Sequence, residues 1–236
     1  MNTASPSPFD SFNARALSPA AVARTFVEPK PQYNLLVKRA HSLLVGPRGG
    51  GKTTLLKMLT PEGIEHWRDA PEAVLGMDYS GVFVPTDIAW DRQLKALGGA
   101  GLPTRFVDAL VVAIFTTHTL KAFVTCLRYR VAGLSTASRA FRRLSMTRAQ
   151  EAEVARAMSR VLDLELPLAS LSGLIAALGD RSRELIRFAS AESLMSEDGR
   201  AERFAACPGL FQDIVTSTVS LIDILEAFKP ELVGER

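Results

Sequence analysis

Eight residues constrain this chain more than any others: Gly46-Pro47-Arg48-Gly49-Gly50-Gly51-Lys52-Thr53. They match the spacing G-x-x-x-x-G-K-[ST]. A loop that wraps an anion with its own backbone N–H groups needs conformations that are costly for a residue with a Cβ. Gly46, Gly49, Gly50 and Gly51 remove that cost. The apolar run Ser42-Leu43-Leu44-Val45 stops at the loop, as a strand of a parallel sheet covered on both faces would. Lys52 to Leu59 has helical composition and ends at Thr60-Pro61, where proline cannot continue the pattern. The order predicted is strand, glycine loop, helix.

Each loop residue has a physical task. The helix after the loop aims its positive end at whatever anion the loop holds. Lys52 supplies a compact cation for β- and γ-phosphates. The Thr53 hydroxyl is the expected ligand of Mg2+, a cation that prefers hard oxygens and keeps several waters. Thr54, one step along the first turn, is placed to reach the α-phosphate. The expected ligand is ATP with magnesium, held by residues 46–54, with Pro47 and Arg48 completing the loop. The loop reads phosphates and leaves the base unread.

The rest of the chain divides into three stretches. Residues 1–22 are rich in Ser, Pro, Asn and Ala and read as a flexible tail. Residues 23–96 form the nucleotide-binding core. Thr25 to Leu36, with Pro29 and Pro31, predict an extended approach segment, Leu35-Leu36-Val37 closes a short helix, and residues 81–86 make a second strand with Pro85 at its end. Residues 97–236 read as mainly helical. Leu102 to Arg130 has apolar residues near helical spacing, and Thr147-Arg148-Ala149-Gln150 is a capping box opening a helix to about Leu162. Asp180 is read as the cap of a helix to about Ser196, and a last helix spans about Leu210 to Phe228. The fold class predicted is α/β: a strand–loop–helix core with few parallel strands, followed by a large helical region.

Composition excludes several classes. Hydrophobic residues make up 47% of the chain and charged ones 22%, which predicts a packed core. The net charge of +3 is too small to argue for nucleic acid. The two cysteines, Cys126 and Cys207, lack metal-ligand spacing, so no zinc site or disulfide framework is expected and a reducing cytoplasm fits. The N-terminus has no secretory pattern. The longest apolar stretch, Phe106 to Phe115, is interrupted by Asp108 and is too short to span a bilayer, so no membrane is expected.

In this setting the sequence resembles the bacterial AAA+ ATPases related to the origin-recognition-complex family, members of the P-loop NTPases. The resemblance rests on Arg24-Thr25-Phe26-Val27, on residues 43–59 around the loop, and on Phe83-Val84-Pro85-Thr86-Asp87-Ile88-Ala89-Trp90. It covers roughly residues 24–130. It implies an ATP hydrolase whose sheet carries a later strand ending in Asp-Glu, the pair that holds the magnesium shell and orients the attacking water. No such pair is found. Asp87 follows Pro85 at a strand end and reads as a turn. Leu162-Asp163-Leu164-Glu165-Leu166 reads as a helix end or linker. Residues 221–226 keep a helical period. The catalytic residues are therefore unassigned, and hydrolysis by this chain alone is in doubt. The chain reads as the N-terminal portion of an ATPase, as one half completed by a second chain, or as a core whose helices cover the apolar faces.

Two other readings stay open. A P-loop kinase acting on a small acceptor would use Arg128, Arg130, Arg139, Arg142, Arg143 and Arg148 as a lid. A non-hydrolysing interaction module would use the nucleotide to stabilise its fold. The same arginines fit DNA backbone less well than a solvated helix face. His41, His66 and His118 are scattered, His118 and Cys126 read as packed side chains, and Trp67 and Trp90 read as packing anchors.

Overall fold

The computed structural model describes residues 14, 17–27, 30–38, 42–47, 49–68, 79–84, 104–132, 146–164, 168–192 and 220–225. These residues are mainly helical. In chain order the helices are α1 (Pro19–Ala23), α2 (Lys30–Leu36), α3 (Lys52–Lys57), α4 (Pro61–Glu65), α5 (Thr104–Ala132), α6 (Arg148–Val161) and α7 (Leu171–Glu192). Residues 220–225 form a further short helix, α8. The chain separates into two compact units. One contains Met1–Pro85 and Ala132–Arg143, the other Thr86–Val131 and Leu144–Arg236.

The predicted α/β core is not seen. Among the described residues there is no strand and no sheet. Residues 42–47 and 81–84 have neither helical nor strand pairing. The run Leu43-Leu44-Val45 has the composition of a buried strand, but only Leu44 packs against a core, while Leu43 and Val45 are 87% and 84% exposed. A strand is defined by the chain it pairs with, and composition alone does not supply one. Residues 85 and 86 of the second predicted strand lie outside the described residues.

In the first unit, α1, α3 and α4 pack together around Val22, Tyr33, Met58, Ile64 and Trp67. Three aromatic rings meet here: Trp67 lies edge-on to Phe26 at 4.8 Å and to Tyr33 at 5.3 Å. Such edge-to-face pairs stabilise beyond the area they bury. The Tyr33 hydroxyl donates to the Met58 carbonyl at 2.9 Å, so the ring is buried with its polar end satisfied. Short helices need explicit starts, and two of these have them. Ser18 accepts from the Ala21 N–H before Pro19, and Thr60 accepts from the Gly63 N–H before Pro61. Pro31 also lies in a first helical turn, that of α2, where its missing N–H costs nothing; the extended segment expected over Thr25 to Leu36 is thus helical from Lys30.

The second unit is built on α5, 29 residues long. Leu120, Val124 and Leu127 recur at helical spacing and are buried against Val154 and Met158 of α6, Leu174 and Leu178 of α7, and Leu221 of α8. The Thr147 capping box is present in full: Thr147 Oγ1 accepts from Gln150 N–H and Gln150 Oε1 accepts from Thr147 N–H. At the other end of α6, Asp163 takes a left-handed backbone with φ 48°, and the buried Arg181 donates to the carbonyls of Leu162 and Asp163. Burial pulls the Arg181 guanidinium below its ordinary pKa, against the opposing pull of Asp163 and Glu184. Asp180 does not cap a helix. It lies on an exposed position inside α7, which starts nine residues earlier at Leu171, just after Ser170, whose Oγ accepts from the Gly173 N–H. By length and composition Val107–Val131 is also long and apolar enough to cross a membrane, because the helix runs well past the stretch read as too short.

Candidate functional site

The glycine loop is built from the residues upward. Gly49 and Gly51 have φ values of 87° and 72°, in the left-handed region that a side chain makes costly. Gly51 in that conformation is the N-cap of α3, and it makes no side-chain cap. The Gly50 N–H donates to the Pro47 carbonyl at 3.2 Å, which turns the chain back on itself. The Lys52 ammonium closes the ring by donating to the carbonyls of Gly46 and Pro47, both at 2.7 Å. The loop therefore wraps around its own cation.

Charge-assisted bonds of this kind are strong, yet an ammonium has three donors and prefers an anion to neutral carbonyls. Gly46, Pro47, Gly49, Gly50 and Gly51 are exposed, and a Cβ built on Gly46, Gly49 or Gly51 would meet nothing within 4 Å. The loop thus has open space at its rim and a cation at its centre. Lys52, Thr53 and Thr54 occupy the first turn of α3 and are half-buried. Thr53 and Thr54 each bring a hydroxyl oxygen to that turn. Among the described residues no group of three His, Cys, Asp or Glu side chains could hold a metal ion. Arg48 and Asp87 lie outside the described residues.

The far end of α3 carries a second lysine that sequence reasoning missed. The Lys57 side chain is 5% exposed, and its ammonium donates to the carbonyls of Ala14 at 2.6 Å and Leu17 at 2.5 Å. It also lies 5.4 Å from the centre of the Phe83 ring. Burial lowers its pKa from the ordinary 10.5, opposed by nearby Glu62. The signal for it is a charge inside the apolar run Leu55-Leu56-Lys57-Met58-Leu59.

Other sequence candidates resolve into separate places. Arg128 and Arg130 sit half-buried on α5, Arg148 is exposed at the start of α6, and Arg139, Arg142 and Arg143 are outside the described residues. Ser182 and His118 join α7 to α5 through Ser182 Oγ and His118 Nε2, 3.2 Å apart. His66 Nδ1 lies 2.9 Å from the Glu62 carbonyl oxygen. Trp67 is a buried packing anchor, as read. Cys126 is half-buried and forms no disulfide. His41, Trp90 and Cys207 lie outside the described residues.

A family model described as ORC-CDC6-like matches residues 7–231. No curated protein and no solved structure matches the chain.

Proposed function

Since the chain belongs to the ORC-CDC6-like family, we propose that it binds ATP with magnesium at residues 46–54 and acts as an AAA+-related nucleotide-binding protein. The observation that carries this reading is the loop itself: two left-handed glycines, an open rim, and the Lys52 ammonium at its centre. Lys52 exchanges its two carbonyl partners for phosphate oxygens. Backbone N–H groups between Gly49 and Thr53 hold the remaining phosphate charge. Thr53 supplies the hydroxyl for magnesium, which when bound neutralises phosphate charge. No strand-end Asp-Glu pair of the kind a hydrolytic site uses is found in the sequence, so binding is proposed here and hydrolysis is left to the test below. A protein partner or DNA would sense the bound state.

The test is titration of the whole chain with ATP and magnesium by calorimetry. Lys52→Ala is expected to weaken binding by roughly 10- to 100-fold, the loss of one or two charge-assisted hydrogen bonds. Unchanged affinity in that variant would remove the loop from consideration. Phosphate release measured in parallel, with and without DNA, separates binding from hydrolysis.

A further inference from the structure

We propose that Leu44 is a positioning residue for the glycine loop. Its side chain seats the N-terminal flank of the loop in the same core in which Leu55 seats the C-terminal flank, and this shared seat sets how well the loop holds a triphosphate. The effect on the triphosphate rests on the nucleotide reading above; the effect on the order of the loop does not.

The loop has little of its own to hold its shape. Gly46, Pro47, Gly49, Gly50 and Gly51 are exposed, and the glycines bring no side chain that could pack. Glycine also loses more backbone freedom on ordering than any other residue. The order of such a loop comes from what stands on either side of it.

The C-terminal flank is held twice. Leu55 is buried in the core with Met58, Ile64 and Trp67, and its N–H donates to the Gly51 carbonyl at 2.9 Å. The last glycine of the loop therefore hangs directly on a core residue. The N-terminal flank is held once. Ser42, Leu43 and Val45 are exposed, and among the described residues no hydrogen bond joins residues 42–45 to another segment. Leu44 is half-buried and packs against the same core as Leu55.

The two flanks meet at Lys52. Gly46 follows Leu44 by two residues, at most about 7 Å of chain at roughly 3.5 Å per residue. Its carbonyl, with that of Pro47, accepts from the Lys52 ammonium at 2.7 Å, and Lys52 stands in the turn of α3 that leads to Leu55. Chain, hydrogen bond, helical turn and core thus close a ring through Leu44. If Leu44 loses its seat, the Gly46 and Pro47 carbonyls drift from the ammonium, and the loop N–H groups lose their common aim. Contacts that must converge on one group are sensitive to such shifts: a displacement of about 1 Å weakens them many-fold.

The experiment pairs calorimetric titration of the full chain, using ATP with magnesium, with amide hydrogen exchange of the unliganded chain followed by NMR. The reporter amide is Gly50, whose N–H is held by the Pro47 carbonyl at 3.2 Å. Leu44→Ala should speed Gly50 exchange several-fold and weaken ATP binding roughly three- to tenfold, at temperatures well below unfolding. Leu44→Met conserves volume and should restore both. Leu43→Ala and Val45→Ala, at exposed positions, should change neither. A side chain that only stabilises the core would lower the unfolding midpoint in Leu44→Ala and leave Gly50 exchange and ATP affinity at their wild-type values; that result overturns the proposal. An equal loss in Leu43→Ala overturns it as well. Should Leu44→Ala fail to fold, Leu44→Val shortens the side chain by one carbon and should move both readouts the same way, by roughly twofold; no movement in either overturns the proposal. A wild type that does not bind ATP overturns the nucleotide reading and the triphosphate effect with it, while Gly50 exchange decides the hold on the loop by itself.

Discussion

Lys52 and Lys57 share one helix and face opposite demands. Lys52 stands half-buried beside an exposed loop rim; Lys57 is enclosed. Burial holds the Lys57 pKa below 10.5, so as pH rises its folded form gives up the proton before its unfolded form does. Between those two pKa values the unfolded chain binds more protons, and stability contributed by this residue rises with pH. The expected outcome is a wild-type minus Lys57→Met difference in unfolding free energy that grows as pH rises through the lowered folded-state pKa toward about 10.5. Urea unfolding followed by Trp67 fluorescence in a Trp90→Phe background reads it. A difference that shrinks with pH would mean that the hydrogen bonds outweigh the desolvation. The loop glycines were legible in the sequence because a positive φ is a property of one residue and its neighbours. Lys57 was not, because its partners lie 43 and 40 residues away.

At the scale of elements, what the sequence revealed followed locality. The Thr147 capping box involves residues three apart and reads directly from the chain. Thr147→Ala is expected to cost about 1 kcal/mol, as a lost N-cap does, measured by chemical denaturation of the whole chain. The buried stripe of α5 was legible in the same way, through helical spacing alone. Asp180 misled because an aspartate serves equally on the exposed face of a helix interior, and the true start lies at Ser170. Pro31 misled for a related reason: a proline ends a helix or begins one, depending on which side the helix lies. Residues 42–45 were read as a strand from a short apolar run, a pattern that cannot distinguish a strand from other buried chain without its partner.

Across the whole molecule, the ORC-CDC6-like match covers residues of both compact units, so family membership is a property of the entire chain and not of the loop alone. Helices dominate the described residues of each unit, and the candidate site rests on a loop and one short helix in the first. One feature beside that loop affects how the protein behaves in a tube. Leu43 and Val45 are exposed on a stretch without regular structure, and among the described residues no backbone hydrogen bond joins residues 42–45 to another segment. Greasy side chains next to bare amides favour sticking between molecules as concentration rises. Leu43→Lys combined with Val45→Lys should therefore delay the onset of turbidity when concentrated samples are warmed, with the melting temperature little changed. Solubility and nucleotide affinity would then be set by neighbouring residues, and handling conditions for this chain would depend on two positions just upstream of its glycines.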